Sequence, residues 1–82
     1  MKLKEFLLSN DLTEKEAQLS ELVFKGLSNK TIANRFFIKE DTVGVLLQAI
    51  YKKLGVENRA QLISLCMSKN FIEDEEKYDQ SN

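Results

Sequence analysis

The side chains that most often perform chemistry in proteins are scarce in this sequence of 82 residues. It holds no histidine and one cysteine, Cys66, and its carboxylates are scattered along the chain. An acid, a base and a nucleophile therefore have no pattern that would bring them together in one cleft. The ligand sets that zinc and similar metals require are missing as well. We expect no enzyme activity, no metal site and no cofactor.

Charged side chains are the remaining candidates for a functional role, and their distribution along the chain is more informative than the net charge. The formal net charge is −1, but residues 1–69 hold eleven Lys and Arg against eight Asp and Glu, a balance of +3. Residues 70–82 hold five acidic side chains and one lysine, a balance of −4. The net charge of −1 alone would argue against a nucleic-acid partner. A basic segment followed by an acidic one, however, is compatible with such a partner.

The length indicates a single small domain, and the cysteine content fits a reducing compartment. The apolar run at residues 6–8 is too short for a signal peptide or a membrane span. We expect a cytoplasmic protein with no membrane contact.

Helical periodicity and helix-capping residues predict an all-α fold of four helices. Thr13 with Glu16, and Asn58 with Gln61, have the spacing of a capping box, while Ser28 can cap a helix alone. Gly26 and Gly55 can end helices. The predicted helices span about 13–25, 28–36, 41–54 and 58–69.

The chain then divides into three segments. Residues 1–11 form an N-terminal arm, which either docks on the helices through its apolar side chains or frays. Residues 12–69 form the helical domain. Residues 70–82 are acidic and polar, and we expect them to be disordered because they carry too little apolar surface to offset the entropy of ordering.

The second and third predicted helices have the spacing of a helix-turn-helix. Ala33 is small enough to let two helices approach closely, and Val43 and Leu46 fall where the next helix would cross it. An ordinary helical bundle without a groove-reading role fits this spacing equally well.

Five separate blocks stand in order over about residues 12–67: LTEKE at 12–16, GLSNKTIA at 26–33, TV at 42–43, IYKKLGV at 50–56 and Arg59. Together they resemble the LuxR-type (GerE-like) DNA-binding domain of bacterial regulators. The resemblance implies a four-helix domain whose third helix enters the major groove and whose fourth helix forms a homodimer. Most such domains belong to larger regulators, and from the length we expect the stand-alone form.

The third predicted helix departs from the pattern of that family. Members usually carry a lysine directly after the Thr-Val pair and often a histidine two residues later, whereas this chain has Gly44 and Leu46. Gln48 can pair with adenine, and Val45 and Ala49 can touch thymine methyl groups. The candidate base-reading residues are Thr42, Gly44, Val45, Gln48 and Ala49.

Lysines near this helix are candidates for contacts with DNA phosphates, which dominate the affinity of such complexes. The candidates are Lys30, Lys39, Lys52 and Lys53. Arg59 stands where the family has an arginine, and we expect it to be structural. Ile63, Ser64 and Met67, on the second face of the fourth helix, are candidates for the dimer interface.

Two functions fit these residues. The first is a transcription regulator that binds duplex DNA as a homodimer with helix 41–54 in the major groove. The second is an adaptor or antagonist with weakened or lost DNA contacts, which binds another transcription regulator or RNA polymerase. The second draws on the nearly uncharged outer face of helix 41–54 and on the acidic tail, which can imitate the charge of DNA.

Overall fold

The computed structural model describes residues 3–69, and all regular structure within that range is helical. The first four helices are α1 (Leu3–Ser9), α2 (Glu14–Phe24), α3 (Asn29–Phe36) and α4 (Glu40–Leu54). A fifth, α5, is helical from 59 to 69, where the described residues end. The predicted all-α fold is confirmed: α2 to α5 are the four predicted helices, and α1 precedes them. The predicted disordered tail, 70–82, lies outside the described residues.

Capping residues set the helix ends as their types predict. At the start of α2 the Thr13 hydroxyl accepts the Glu16 N–H at 3.1 Å, and the Glu16 carboxylate accepts the Thr13 N–H at 2.9 Å. At the start of α3 the Ser28 hydroxyl accepts the Thr31 N–H. These contacts satisfy backbone donors that lack a partner in the first turn of a helix.

The start of α5 differs from the predicted capping box in one detail. The Asn58 side chain accepts the Gln61 N–H at 2.9 Å, as expected. The Gln61 side chain, however, accepts the Glu57 N–H at 2.8 Å, one residue before the position that a capping box requires. Asn58 still caps the helix, and Gln61 fixes the loop before it.

The hydrophobic core draws side chains from all five helices. Leu46 and Leu54 of α4 are half-buried at its edge, whereas Tyr51, which we did not assign to the core, is buried. The largest fully buried side chains are Leu7 of α1, Leu19, Ser20 and Val23 of α2, Ile32 of α3, Val43 and Ile50 of α4, and Leu62 and Cys66 of α5.

Residues 3–9 of the N-terminal arm form a helix that packs on the domain. Leu3 and Leu7 enter the core. Lys4 Nζ lies 2.6 Å from Glu14 Oε1 of α2, and Lys69 Nζ lies 4.7 Å from the centre of the Phe6 ring. The last contact joins α1 to α5, so the two ends of the described chain lie beside each other.

Glu16 also joins α2 to α4. Its Oε1 atom lies 2.7 Å from Lys53 Nζ, in addition to the bond from the Thr13 N–H. Burial alone would raise the pKa of this carboxyl, but the hydrogen bonds from Lys53 and Thr13 outweigh burial and lower the pKa overall. Glu16 is therefore held as a carboxylate in a nearly buried position.

Candidate nucleic-acid interface

The structure divides α4 into a buried face and an outer face. Val43, Leu47, Ile50 and Tyr51 are buried. Every candidate base-reading residue is exposed or half-exposed: Thr42, Val45 and Gln48 are exposed, with Val45 at 69%, whereas Gly44 and Ala49 are intermediate. Because residues three or four apart lie on one side of a helix, the exposed three form one continuous surface.

Gly44 is open to its surroundings. A Cβ atom placed on it would meet no atom within 4 Å among the described residues, and its φ is not in the left-handed region. A glycine in a helix interior costs about 1 kcal/mol relative to alanine. Neither local backbone geometry nor a neighbouring helix requires a glycine here.

The structure separates the four candidate phosphate-binding lysines into two groups. Lys30, Lys39 and Lys52 are exposed and form no ion pair with any described residue. Lys53 instead pairs with the nearly buried carboxylate of Glu16. Its ammonium group thus already has a carboxylate partner that joins α2 to α4, whereas the other three lysines have no ion-pair partner among the described residues.

The N-terminus of α3 is the second part of this surface. The Arg59 guanidinium donates to Asn29 Oδ1 at 2.7 Å and to the carbonyl oxygen of Leu27. These bonds fix α5 against the loop before α3 and place a permanent positive charge beside the first turn of α3, where Lys30 is also found. Helix N-termini attract anions, and two cations strengthen that attraction.

The N-terminus of α4 has the opposite character. Glu40 and Asp41 occupy its first turn and are exposed, and its N-cap, Lys39, makes no side-chain capping bond. The two carboxylates favour the helix itself through its dipole but repel a phosphate. Anion contacts are therefore favoured at the N-terminus of α3, whereas at the C-terminal end of α4 only the exposed side chain of Lys52 attracts an anion.

The candidate dimer residues range from the edge of the core to the exposed surface of α5. Ile63 is half-buried and packs against the core, Ser64 is exposed and Met67 is 57% exposed. The three are one turn or less apart, so they form a small apolar stripe with a polar centre.

The structure also reveals an exposed aromatic residue in the connection between α3 and α4, which is not among the candidates that the sequence predicts. Phe37 is 94% exposed and has a φ of 56°, in the left-handed region. Its N–H group closes the end of α3 by bonding to the carbonyl of Asn34. The only available sequence signal was an aromatic pair at the end of a short helix, which does not tell which ring faces solvent.

Comparison with known proteins identifies the family. The family model for bacterial regulatory proteins of the luxR family matches residues 10–66, which include α2, α3, α4 and most of α5. This chain belongs to the LuxR family. The predicted resemblance is confirmed, and the matched residues contain every candidate base-reading and phosphate-binding position.

The relatives of this LuxR-family chain are transcription regulators. It is 38% identical over 61 residues to the transcriptional regulatory protein YdfI of Bacillus subtilis, covering 74% of this chain and 29% of YdfI. It is 44% identical over 50 residues to the DNA-binding transcriptional activator DevR/DosR of Mycobacterium tuberculosis, covering 61% of this chain and 23% of that protein. The chain thus spans under a third of the length of these relatives. No solved structure matches it.

The family and the two relatives are described as transcription regulators. Within residues 3–69 no group of three histidine, cysteine, aspartate or glutamate side chains is arranged to hold a metal ion. None of the helices in the described range is long and apolar enough to cross a membrane.

Proposed function

We propose that this LuxR-family protein binds duplex DNA as a homodimer and regulates transcription, with α4 in the major groove. The observation that carries the proposal is the two-faced character of α4. Its buried face fixes it to the core, while Thr42, Val45 and Gln48 stand free on the other side. Since the partner is chromosomal DNA, we place the protein in the cytoplasm.

Each exposed residue has a role in this proposal. Gln48 pairs with the edge of adenine, Val45 and Ala49 touch thymine methyl groups, and Thr42 supplies a hydroxyl to a base or a phosphate. Gly44 lets the DNA approach the α4 backbone closely. Lys30, Lys39 and Lys52 neutralise phosphates.

Binding to a pool of random-sequence duplexes, measured as a function of salt, tests this proposal. Three lysines in each subunit of a dimer would give a slope of log K against log salt of about −5, because each neutralised phosphate contributes about −0.9. Replacing Lys39 by Gln should make the slope less steep by about 2 in the dimer. If no duplex is retained at low salt, the chain does not bind DNA on its own.

Gly44 offers a sharper variant. LuxR-family domains usually carry a lysine at this position, and Gly44→Lys places a cation on the α4 surface that faces the major groove in our proposal. We expect tighter binding and a steeper salt slope than in the matched control Gly44→Ala, which changes the backbone preference without adding charge. Equal affinity of the two variants would argue against α4 as the groove-reading helix.

Dimer formation through α5 is a separate part of the proposal. Met67→Glu places a charge on the exposed stripe and leaves the core residues Leu62 and Cys66 unchanged. We expect the substitution to abolish dimers in sedimentation experiments, with or without DNA, while the helical circular dichroism is kept. Ser68→Glu, on the neighbouring exposed position, is the control for added charge. Dimers that survive Met67→Glu would place the interface elsewhere.

One observation favours a second function, the binding of another transcription regulator or RNA polymerase. Phe37 and Val45 are the two most exposed large apolar side chains in the described residues, and both belong to the α3–α4 unit. Where exposed apolar side chains form one contiguous patch, that patch often marks a protein-binding surface. Affinity capture with Val45→Glu compared with the natural protein tests this. An identical set of bound proteins would count against the adaptor function.

A further inference from the structure

A groove separates α2 from the C-terminal end of α3, on a part of the surface that the DNA proposal does not use. Its volume is about 310 Å³. Leu22 and Phe36 are half-buried and form an apolar floor, and Gln18 lies at one end. The other lining residues are Glu21, Lys25 and Arg35.

The rim of this groove is positively charged. Lys25 and Arg35 are exposed and form no ion pair with any described residue. Lys15 adds a third cation, with Nζ 5.8 Å from the centre of the Phe36 ring. Glu21 is the only acidic side chain among the lining residues. The groove therefore suits an occupant with apolar side chains for the floor and several negative charges for the rim.

The chain itself contains a segment of this composition directly after the described residues. Phe71 and Ile72 are followed by four consecutive acidic residues, Glu73, Asp74, Glu75 and Glu76. The apolar pair matches the floor of the groove, and the acidic run matches its rim. Both halves of the match lie within six residues.

The end of α5 lies close enough for this segment to reach the groove. Lys69, the last described residue, has its Nζ atom 4.7 Å from the Phe6 ring of α1, and Lys4 of α1 lies 2.6 Å from Glu14 of α2, so α1 links the end of α5 to α2. Burial raises the pKa of the Cys66 thiol of α5 to about 11, and the charge of Glu21 on the groove wall adds to the rise. The described chain continues only to residue 69. When fully extended, residues 70–76 can span about 23 Å. This is more than the length of the groove along α2, which is about 10 Å from Gln18 to Lys25.

We propose that residues 71–76 dock in this groove of the same molecule, with Phe71 and Ile72 on Leu22 and Phe36 and the acidic side chains beside Lys25 and Arg35. The docked segment neutralises the positive rim and covers the apolar floor. This inference does not depend on DNA binding.

The test uses backbone amide NMR spectra of the full chain. Substitutions in the segment are detected through the signals of the groove residues, and substitutions in the groove through the signals of the segment. The double variant Phe71→Ser with Ile72→Ser should shift the amide signals of Leu22, Lys25 and Phe36. In turn, Arg35→Glu should shift the signals of residues 71–76. Lys30→Glu makes the same charge change on α3 outside the groove, so it should leave the amide signals of residues 71–76 unchanged. Raising the salt concentration should reproduce part of the Arg35→Glu effect, because screening weakens exposed ion pairs.

A charge exchange completes the test. Adding Glu73→Lys and Glu75→Lys to Arg35→Glu should return the signals of Leu22 and Phe36 towards their original positions. If neither single-sided substitution moves signals on the other side, the segment does not dock in the groove and the proposal fails. Shifts that disappear on dilution would show that the segment binds a second copy instead, which also overturns docking within one molecule.

Discussion

In the proposed complex, the side chains on the outer face of α4 make the contacts with the DNA bases. They comprise one amide, one hydroxyl and two aliphatic groups, and the segment from residue 40 to residue 51 contains no cation. In the major groove an amide is suited to adenine and an aliphatic group to the thymine methyl group. The proposed contacts therefore favour A·T pairs at the positions that α4 touches.

Gln48→Ala tests base recognition at a single position. If Gln48 makes a bidentate contact with adenine, its loss should reduce discrimination at one base pair by about 1–3 kcal/mol and leave non-specific binding unchanged. Duplex selection with the natural protein, followed by affinity measurements on single-base variants, provides the readout. Lys52→Gln is the comparison, since loss of a phosphate contact weakens binding to all sequences alike.

If Gln48→Ala kept the same base preference at every position, the amide would not be a base-reading group. The preference would then have to arise from Val45 and Ala49, or from the shape of the DNA.

The helices are held in register by a few polar contacts whose partners lie far apart in the chain. Glu16 of α2 and Lys53 of α4 are 37 residues apart, and Arg59 reaches back 32 residues to Leu27. These contacts fix α4 against α2 and the start of α5 against the start of α3. They position the proposed reading surface without belonging to it.

Glu16→Gln tests the joint between α2 and α4. Glutamine keeps an oxygen for the Thr13 N–H but loses the charge that pairs with Lys53, so the free energy of unfolding should fall by about 1 kcal/mol at pH 7. The pKa of Glu16 is lowered in the folded protein, so its stabilising effect is present above the pKa of the unfolded chain. The effect is lost as the pH falls through the folded pKa, and the two proteins should therefore converge in acid.

Urea unfolding of both proteins between pH 7 and pH 3 provides this measurement. Glu14→Gln is the matched control, because Glu14 pairs with Lys4 at the exposed surface and should change stability by less than about 0.5 kcal/mol. A gap between natural protein and Glu16→Gln that stayed constant with pH would mean that the ion pair does not stabilise the fold.

Gly44→Ala tests whether the glycine on the outer face of α4 makes the protein less stable than an alanine would. A Cβ at this position meets open space, so alanine should stabilise the protein by about 1 kcal/mol. For a domain of this size the melting temperature should rise by about 4–8 °C. Gly55→Ala is the control with the opposite sign, because Gly55 has a φ of 70° that alanine adopts only under strain. A loss of stability in Gly44→Ala would contradict the open geometry.

The molecule as a whole is small, so its stability depends on every helix that contributes to one core. A chain of this length buries a smaller share of its surface than a larger domain does. Leu3 and Leu7 of α1 complete a core that otherwise comes from α2 to α5 and from Leu12 in the loop before α2. The N-terminal helix is therefore part of the folding unit and not an appendage.

Leu7→Ala tests that conclusion. Leu7 is fully buried, and truncating a buried leucine to alanine costs about 2–5 kcal/mol, a large share of the stability of a small domain. Thermal unfolding followed by circular dichroism should show a large drop in melting temperature. Leu8→Ala, at a half-buried position, should have a smaller effect. Equal and small effects of both substitutions would mean that α1 detaches without loss to the core.

The fold of this protein follows largely from local sequence patterns. Thr13, Glu16 and Ser28 bond to backbone groups within three residues, and Gly55 ends α4 through its own backbone conformation. The apolar stripe of α4 has helical spacing, which is also local. Such interactions are encoded in short stretches of sequence, so the four helices of the LuxR domain were predictable within one or two residues.

Packing between helices determined what local patterns do not contain. From the sequence, Lys53 and Lys52 were equally good candidates for a phosphate contact. The packing of α2 against α4, however, places Lys53 beside Glu16. Tyr51 is buried and Phe37 exposed because of where neighbouring helices lie. The groove beside Phe36 exists only where α2 and α3 meet. Local hydrogen bonds and periodicity specify helices, whereas the partner of a side chain dozens of residues away depends on how those helices pack around the core.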